Sequence, residues 1–79
     1  ADNCKHGIDY CGWNLLNRGN TYNQRIPNEL RVKNQPDDFT HVNSSLFWCV
    51  GGVNGDIEFQ VYCGDGSCKD GGTNKSDYC

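Results

Sequence analysis

The sequence lacks the patterns that mark most metal centres and enzyme sites. No two cysteines stand at Cys-x-x-Cys spacing, and His6 and His41 are far apart, which argues against the common zinc-binding frameworks. No serine stands with a histidine and an acid at a recognisable spacing, and there is neither a nucleophile elbow nor a phosphate-binding loop. We therefore expect no metal, no cofactor and no catalytic residue.

Basic charge is also scarce. Seven Lys and Arg residues stand against ten Asp and Glu residues, which gives a formal net charge of −3. This balance disfavours binding to nucleic acid or to an anionic membrane, and it disfavours a toxin or antimicrobial peptide, since such chains are usually basic. No apolar run is long enough to span a membrane. We expect Ala1 to be the start of a mature chain whose signal peptide has been cleaved.

Cysteine, by contrast, is abundant. The chain has 79 residues, of which 35% are hydrophobic, so we expect one domain over residues 1–79. A domain of this size buries only about 60–65% of its unfolded surface and usually needs covalent links. Disulfides persist in oxidising compartments, so an even number of cysteines predicts three disulfides and a secreted, extracellular protein. The six cysteines are Cys4, Cys11, Cys49, Cys63, Cys68 and Cys79. Asn43 and Asn74 begin N-glycosylation triplets, which would be exposed in such a protein.

A β-hairpin is predicted at the centre of the chain, with strands at about 46–50 and 57–63 around a Gly/Asn/Asp cluster. We place Val50 opposite Ile57, because side chains alternate along each strand and this register makes one face wholly apolar. The apolar, buried face then holds Leu46, Trp48, Val50, Ile57, Phe59 and Val61. The mixed face holds Phe47, Cys49, Glu58, Gln60 and Tyr62.

The predicted register also limits the disulfide pairing. Cys63 falls on the apolar face and Cys49 on the mixed face, so these two should not be bonded to each other. Among the remaining pairings we favour Cys68–Cys79, which would close the C-terminal tail. Cys4 and Cys11 would then be bonded to Cys49 and Cys63, in one order or the other.

Two short helices are predicted before the hairpin, at about 13–18 and 24–33. Gly19 would end the first helix. In the second, Tyr22, Ile26 and Leu30 form a stripe with a four-residue period, and Pro27 is tolerated in the first turn. Asn34 is the expected C-terminal cap of the second helix.

Outside these elements, residues 36–45 are predicted to be a loop, although Val42, Leu46 and Cys49 would also suit a helix that continues into the apolar run. The β propensity of residues 46–50 favours the strand. Ile8 and Tyr10 alternate with polar residues and predict a short edge segment. The expected fold class is α+β, with the helices packed on one face of a small antiparallel sheet.

Several stretches together resemble a known group of proteins. They are Tyr10-Cys11-Gly12 with Leu15-Leu16, the run Leu46-Phe47-x-Cys49, and the closing Asp77-Tyr78-Cys79. In these the chain resembles small secreted cysteine-rich proteins of filamentous, mostly plant-associated fungi, a set that includes candidate effectors and elicitors. The resemblance implies secretion to the host–fungus interface (the apoplast), a role in virulence or elicitation, and disulfide bonds. It implies no active site and supplies no functional residues.

We therefore expect a monomeric, non-enzymatic protein that binds a host protein or a cell-wall component. An exposed patch of Phe47, Tyr62 and Glu58 on the mixed sheet face is the predicted binding site. One alternative is a chitin- or glucan-binding module that uses the aromatic residues, although the core is the more common place for such side chains.

The other alternative is a small secreted ribonuclease. It would use His6, His41 and Glu58 with Arg18 or Arg31, since two acid–base groups and a cation would serve phosphate chemistry. The acidic balance of the chain disfavours an RNA substrate, and the spacing of these residues is not specific.

Overall fold

The computed structural model describes residues 4–18, 22–51, 55–72 and 74–79. A three-stranded antiparallel sheet with the order β1-β2-β3 organises the chain. Strand β1 is Asp9–Cys11, β2 is Ser45–Gly51 and β3 is Asp56–Tyr62. The predicted hairpin strands and the short N-terminal edge strand are confirmed, and the fold class is the expected disulfide-rich α+β.

Three short helices complete the fold: α1 at Gly12–Leu16, α2 at Arg25–Val32 and α3 at Phe39–Ser44. Helices α1 and α2 lie where they were predicted. Helix α3 corrects the prediction of a loop over residues 36–45. It begins at a strong N-cap, because the Asp38 carboxylate accepts a hydrogen bond of 2.9 Å from the His41 main-chain N–H.

Helix α2 follows its sequence signals closely. Pro27 is its third residue, a position whose main-chain N–H needs no helical partner. Ile26 and Leu30 are fully buried, as is Tyr22 just before the helix, so the predicted apolar stripe is confirmed. Asn34 has a φ of 60°, the left-handed conformation expected of a residue just beyond a helix end. The Gly19 stop predicted for α1 lies outside the described residues.

The predicted register of the hairpin is only partly right. Leu46 pairs with Val61 as expected, but β-bulges on either side of the central pairs shift Phe47 opposite Phe59 and Cys49 opposite Ile57. A shift of one residue exchanges the faces of a strand. Phe47 and Cys49 are therefore fully buried, whereas Val50 and Val61 are each 45% exposed.

The main core lies between the sheet and the helices. Its fully buried members from the helical side are Leu15, Tyr22, Ile26 and Leu30, and those from β2 are Phe47 and Cys49. Ile57 and Phe59 pack against this cluster, as predicted for β3. A smaller cluster forms around Leu46 and contains Cys11, Cys68, Trp13 and Cys63.

The disulfides are Cys4–Cys49, Cys11–Cys68 and Cys63–Cys79. The absence of a Cys49–Cys63 bond is confirmed, and Cys4–Cys49 is one of the links that the sequence allowed. The predicted Cys68–Cys79 bond is wrong, as is a bond from Cys11 to Cys63. The tail crosses beside β1, so that Cys68 reaches Cys11 while Cys79 reaches Cys63 at the end of β3.

Both outer edges of the sheet are partly covered. At β1, the Asp77 N–H donates to the Asp9 carbonyl over 2.8 Å. At β3, the Phe59 N–H donates to the Glu29 carboxylate of α2 over 3.0 Å. Such caps reduce the tendency of an edge strand to pair with another chain. Among the described residues, no helix is long and apolar enough to cross a membrane.

Candidate binding site

The binding patch predicted from the sequence is not formed as expected. Phe47 has no exposed surface, because the bulges turn it into the main core, and the prediction that it is exposed is therefore wrong. Glu58 is exposed on β3. Tyr62 is half-buried and stacks on His41, with ring centroids 3.9 Å apart. A binding role for Tyr62 or Glu58 stays a prediction.

The exposed apolar residues of the sheet lie on the opposite face from Phe47. Leu46 pairs with Val61 and Trp48 pairs with Glu58, and directly opposite residues share a face. Val50 follows Trp48 by two residues. We call Trp48, Val50, Glu58 and Val61 the outer sheet face. Trp48 is half-buried there, and the two valines are the large apolar side chains of the sheet that are most exposed among the described residues.

The histidines of the ribonuclease hypothesis are not brought together. His6 lies against Gly51, at one end of β2, because its side chain is the nearest neighbour of that glycine. His41 precedes the other end of β2 and is within 2.8 Å of the Asp38 carboxylate. The seven residues from Ser45 to Gly51 extend over roughly 20 Å at strand geometry. Hydrogen bonds from the His41 main-chain N–H and side chain lower the pKa of Asp38, as expected of a helix N-cap.

Most aromatic residues proposed for a glycan platform have structural contacts. Tyr10 and Tyr22 are buried, and the Tyr22 hydroxyl accepts from the Cys4 N–H and donates to the Gly55 carbonyl. The Trp13 indole N–H donates to the Cys68 carbonyl over 3.1 Å. Tyr78 remains exposed in the tail, where it pairs with Lys69. Tyr10, Tyr22 and Trp13 thus have contacts within the fold, which accounts for their positions without a ligand.

A polar cleft of about 310 Å³ lies between α1, β1 and the C-terminal segment. We call it the α1 cleft. It is lined by side chains from three separate parts of the chain, which the disulfides hold together. They are Lys5, Tyr10, Asn14, Asn17, Arg18, Asp70, Asn74, Lys75 and Asp77, together with Gly72.

Asp77 fixes one wall of the α1 cleft. Its carboxylate is buried, and it accepts hydrogen bonds from the Cys11 N–H over 2.8 Å, the Asn14 amide over 3.0 Å and the Gly71 N–H over 2.9 Å. Both oxygens are thus occupied by groups of the protein itself. These bonds join the tail to β1 and α1, so Asp77 shapes the cleft rather than offering it an acceptor.

The basic residues of the α1 cleft are arranged differently. Arg18 lies over the Tyr10 ring at 5.0 Å and donates to the Tyr10 hydroxyl over 3.1 Å. The Lys5 ammonium donates to the Asn74 amide oxygen, which bridges the two sides of the cleft. Among the described residues, Lys5, Arg18 and Lys75 form no ion pair with a carboxylate.

A second cleft of about 350 Å³ lies between α2 and β3. Its charges are paired within the protein. Arg25 is 3.9 Å from the Asp56 carboxylate, and Glu29 accepts from Lys33 over 3.0 Å as well as from the Phe59 N–H. A hydrogen bond to Glu29 raises the pKa of the exposed Lys33. This cleft therefore offers less unbalanced charge to a ligand than the α1 cleft does.

Sequence reasoning missed the α1 cleft because its residues come from positions 5, 10–18 and 70–77, which no motif connects. The low apolar content of the tail, and its two cysteines, were the available signals that it must lie against another segment. The sequon Asn74 is exposed, whereas Asn43 is half-buried in α3 and donates to the Phe39 carbonyl over 2.9 Å. Glycosylation at either residue stays a prediction.

No protein-family model, curated protein or solved structure matches this chain. Among the described residues, no group of three or more His, Cys, Asp and Glu side chains is placed to hold a metal ion. Function is therefore inferred from the surfaces of this chain, of which the outer sheet face and the α1 cleft differ most in chemistry. The outer sheet face is largely apolar, and the α1 cleft is polar, with three basic and two acidic side chains in its lining.

Proposed function

We propose that this chain is a secreted, non-enzymatic recognition protein of the effector or elicitor type, which binds a host protein at the host–fungus interface. Three disulfides that join the N-terminal segment, the sheet and the tail support an extracellular scaffold. Such a scaffold holds its surface in one arrangement before binding, and this lowers the entropic cost of association.

The outer sheet face is the observation that carries this proposal. Val50 and Val61 are 45% exposed on a sheet whose opposite face packs against the main core. Trp48, beside them, is half-buried and supplies an aromatic group of the kind enriched at protein interfaces. Glu58 contributes a negative charge at the rim. A partner protein with an apolar surface and a basic group would match this face.

Affinity capture from apoplastic fluid tests the proposal, with the oxidised protein compared with its reduced, alkylated form. A specific protein partner should be retained by the oxidised form alone. Val50→Lys and Val61→Lys should each weaken that partner's binding by about tenfold or more, because each places a charge in a desolvated contact. Val32→Lys is the matched control, since Val32 is exposed on α2 and lies outside the face.

Equal losses with all three substitutions would contradict a role for the outer sheet face. Degradation of RNA that is lost in both His6→Ala and His41→Ala variants would contradict the non-enzymatic proposal and favour the ribonuclease alternative.

A glycan-binding module is the second candidate, and the α1 cleft is the observation that favours it. The cleft has the volume of a small-ligand site, at the lower end of the usual range of about 300–1,000 Å³. Asparagine, aspartate, arginine and tyrosine side chains line it, and these groups hydrogen-bond well to hydroxyls. Retention on chitin or glucan, with a change in tryptophan fluorescence from Trp13 near the cleft, would support this function.

A further inference from the structure

We propose that the α1 cleft binds a small anionic sugar, that is, a hydroxyl-bearing ligand of monosaccharide or disaccharide size that carries a carboxylate, sulfate or phosphate group. The proposal rests on the glycan-binding candidate and names its ligand class. It does not depend on protein recognition, because the α1 cleft and the outer sheet face share no lining residue.

The α1 cleft contains a large share of the basic residues of the chain. The chain has a net charge of −3 and only seven Lys and Arg residues, yet three of these line this one cleft. Three of the four basic residues outside the cleft have a carboxylate within 4 Å: Arg25 with Asp56 at 3.9 Å, Arg31 with Asp37 at 2.7 Å and Lys33 with Glu29 at 3.0 Å. Asp70 and Asp77 also line the cleft, so its formal charge is +1 (three basic minus two acidic side chains), whereas that of the chain is −3. A concave site with an excess of cations attracts an anion.

The α1 cleft also has more hydrogen-bond donors than the protein itself uses. The Tyr10 hydroxyl oxygen accepts from the Lys5 main-chain N–H over 3.0 Å and from Arg18 over 3.1 Å. Both acceptor positions of that oxygen are then used, and its proton is available to donate. The Arg18 guanidinium has further N–H groups beyond the one that Tyr10 accepts. The two oxygens of Asp77 are occupied, so a ligand here must bring acceptors of its own.

Other side chains of the α1 cleft suit the hydroxyl groups of a sugar. Asn17 and Asn74 are exposed at the cleft, and an amide both donates and accepts hydrogen bonds, as a sugar hydroxyl does. The Asp70 carboxylate accepts from the Gly72 N–H over 3.0 Å and, at 3.4 Å, from the Asn14 amide. It lies on the rim as an acceptor for a hydroxyl and would repel a second anionic group. A single anion on a hydroxylated ring fits this arrangement best.

The test is a calorimetric titration of the oxidised protein at low salt with four probes: glucuronate, glucose, glucose 6-phosphate and glucose 6-sulfate. At least one of the three anionic probes should bind about tenfold or more tightly than glucose, because charge-assisted hydrogen bonds are about twice as strong as neutral ones. The affinity should fall with added salt, as expected of exposed charges. The ranking of the three anions would identify the acidic group.

Variants locate the site. Lys5→Gln/Lys75→Gln should reduce the affinity for the anionic probe by about tenfold or more, through the loss of two cations at the ligand. Lys33→Gln/Lys69→Gln changes the net charge equally, outside the cleft, and should change the affinity by less than about twofold. A third variant, Asn17→Ala, should weaken the binding of the sugar probes, whereas the binding of inorganic phosphate, an additional probe without hydroxyl groups on a ring, should not change.

The outcomes of these titrations distinguish the anionic-sugar proposal from the glycan and protein-recognition proposals. Equal binding of glucose and the anionic probes would overturn the anionic class and leave a glycan site in place. No binding of any sugar would overturn both the anionic sugar and the glycan candidate, while protein recognition at the outer sheet face would still stand. Equal losses in the two lysine double variants would show long-range charge attraction and overturn the α1 cleft as the site.

Discussion

Asp9 in β1 and Asp77 in the tail beside it are two carboxyl groups that differ in their hydrogen bonds. Asp77 is buried and accepts three hydrogen bonds. Asp9 has an oxygen that is buried with no hydrogen-bond partner among the described residues. Burial, and then the negative charge of Asp77, raise the pKa of Asp9 above its ordinary value of 3.8. The charged form of Asp9 is therefore unfavourable in the folded state.

This gives a prediction about pH. Below pH 3.8 the Asp9 carboxyl is protonated in both the folded and the unfolded chain. The stability that comes from the protonated form of Asp9 is then fully present. As the pH rises through the raised pKa, the folded state must release a proton that it holds more tightly than the unfolded chain does, so stability is lost. Asp9→Asn should therefore be more stabilising, relative to the original protein, at pH 7 than at pH 3, as measured from urea midpoints.

Asp65→Asn is the control for this experiment, because Asp65 is exposed in the loop after β3. Its effect on stability at pH 7 should stay within about 0.5 kcal/mol, the usual range for surface substitutions. If Asp9→Asn destabilises the protein by the same amount at both pH values, the charge of Asp9 does not oppose folding.

At the scale of the elements, the sequence located the strands but not which face of β2 is buried. The two bulges lie between the Leu46 and Phe47 pairs and between the Cys49 and Gly51 pairs, and their shifts cancel, so the hairpin begins and ends in the predicted register. Only the central pairs differ. Hydrophobicity could not decide this, because Phe47 and Trp48 are both large aromatic residues. The two bulges, on either side of the central pairs, turn Phe47 and Cys49 inward, where Cys49 is bonded to Cys4 within the main core.

Helix α3 was not predicted, because its position depends on packing that the sequence composition does not show. Residues 36–45 contain few apolar residues, and the helical signal considered there was the spacing of Val42, Leu46 and Cys49. Its place is fixed by packing against α1, which composition does not show. Gly12, the first residue of α1, lies so close that a Cβ built on it would be 1.6 Å from the Val42 carbonyl oxygen. The two backbones therefore meet at a glycine.

Gly12→Ala should consequently destabilise the protein by about 3 kcal/mol or more, because main-chain atoms of α3 would have to move. The control is Gly66→Ala. Gly66 has a φ of +70°, and nothing lies within 4 Å of its added Cβ, so the substitution introduces backbone strain without a clash. That strain should cost about 1–2 kcal/mol. Thermal unfolding of the oxidised proteins measures both, and equal losses would contradict close helix packing as the cause.

At the scale of the whole molecule, the C-terminal tail is the part whose position could not be predicted from the sequence. The segment from Gly64 to Cys79 has almost no apolar residues, so hydrophobic periodicity cannot place it, and its disulfide partners could not be deduced. It nevertheless lies within a compact body, since the radius of gyration of 10.9 Å is close to the roughly 11–12 Å expected for this length. The hydrogen bonds of Asp77 and the two tail disulfides hold it beside β1 and complete the α1 cleft.

The disulfides should therefore contribute unequally to stability. Cys11 and Cys68 are 57 residues apart and both buried, whereas Cys63 and Cys79 are 16 residues apart and Cys79 is exposed. A link across a longer span removes more entropy from the unfolded chain, which gives about 4 kcal/mol for the first and about 3 kcal/mol for the second. Cys11→Ala/Cys68→Ala loses buried packing as well, so it should be the more destabilised variant in urea unfolding.

Because a domain of 79 residues is usually stable by only about 4–12 kcal/mol, the loss of Cys11–Cys68 should leave the protein close to unfolding at 37 °C. The Cys63→Ala/Cys79→Ala variant should stay folded and keep β1 joined to the tail through Cys11–Cys68. Its α1 cleft should therefore still form, and its affinity for an anionic sugar should change little. Greater destabilisation of the Cys63→Ala/Cys79→Ala variant would contradict this order and place the stabilising link at the chain end.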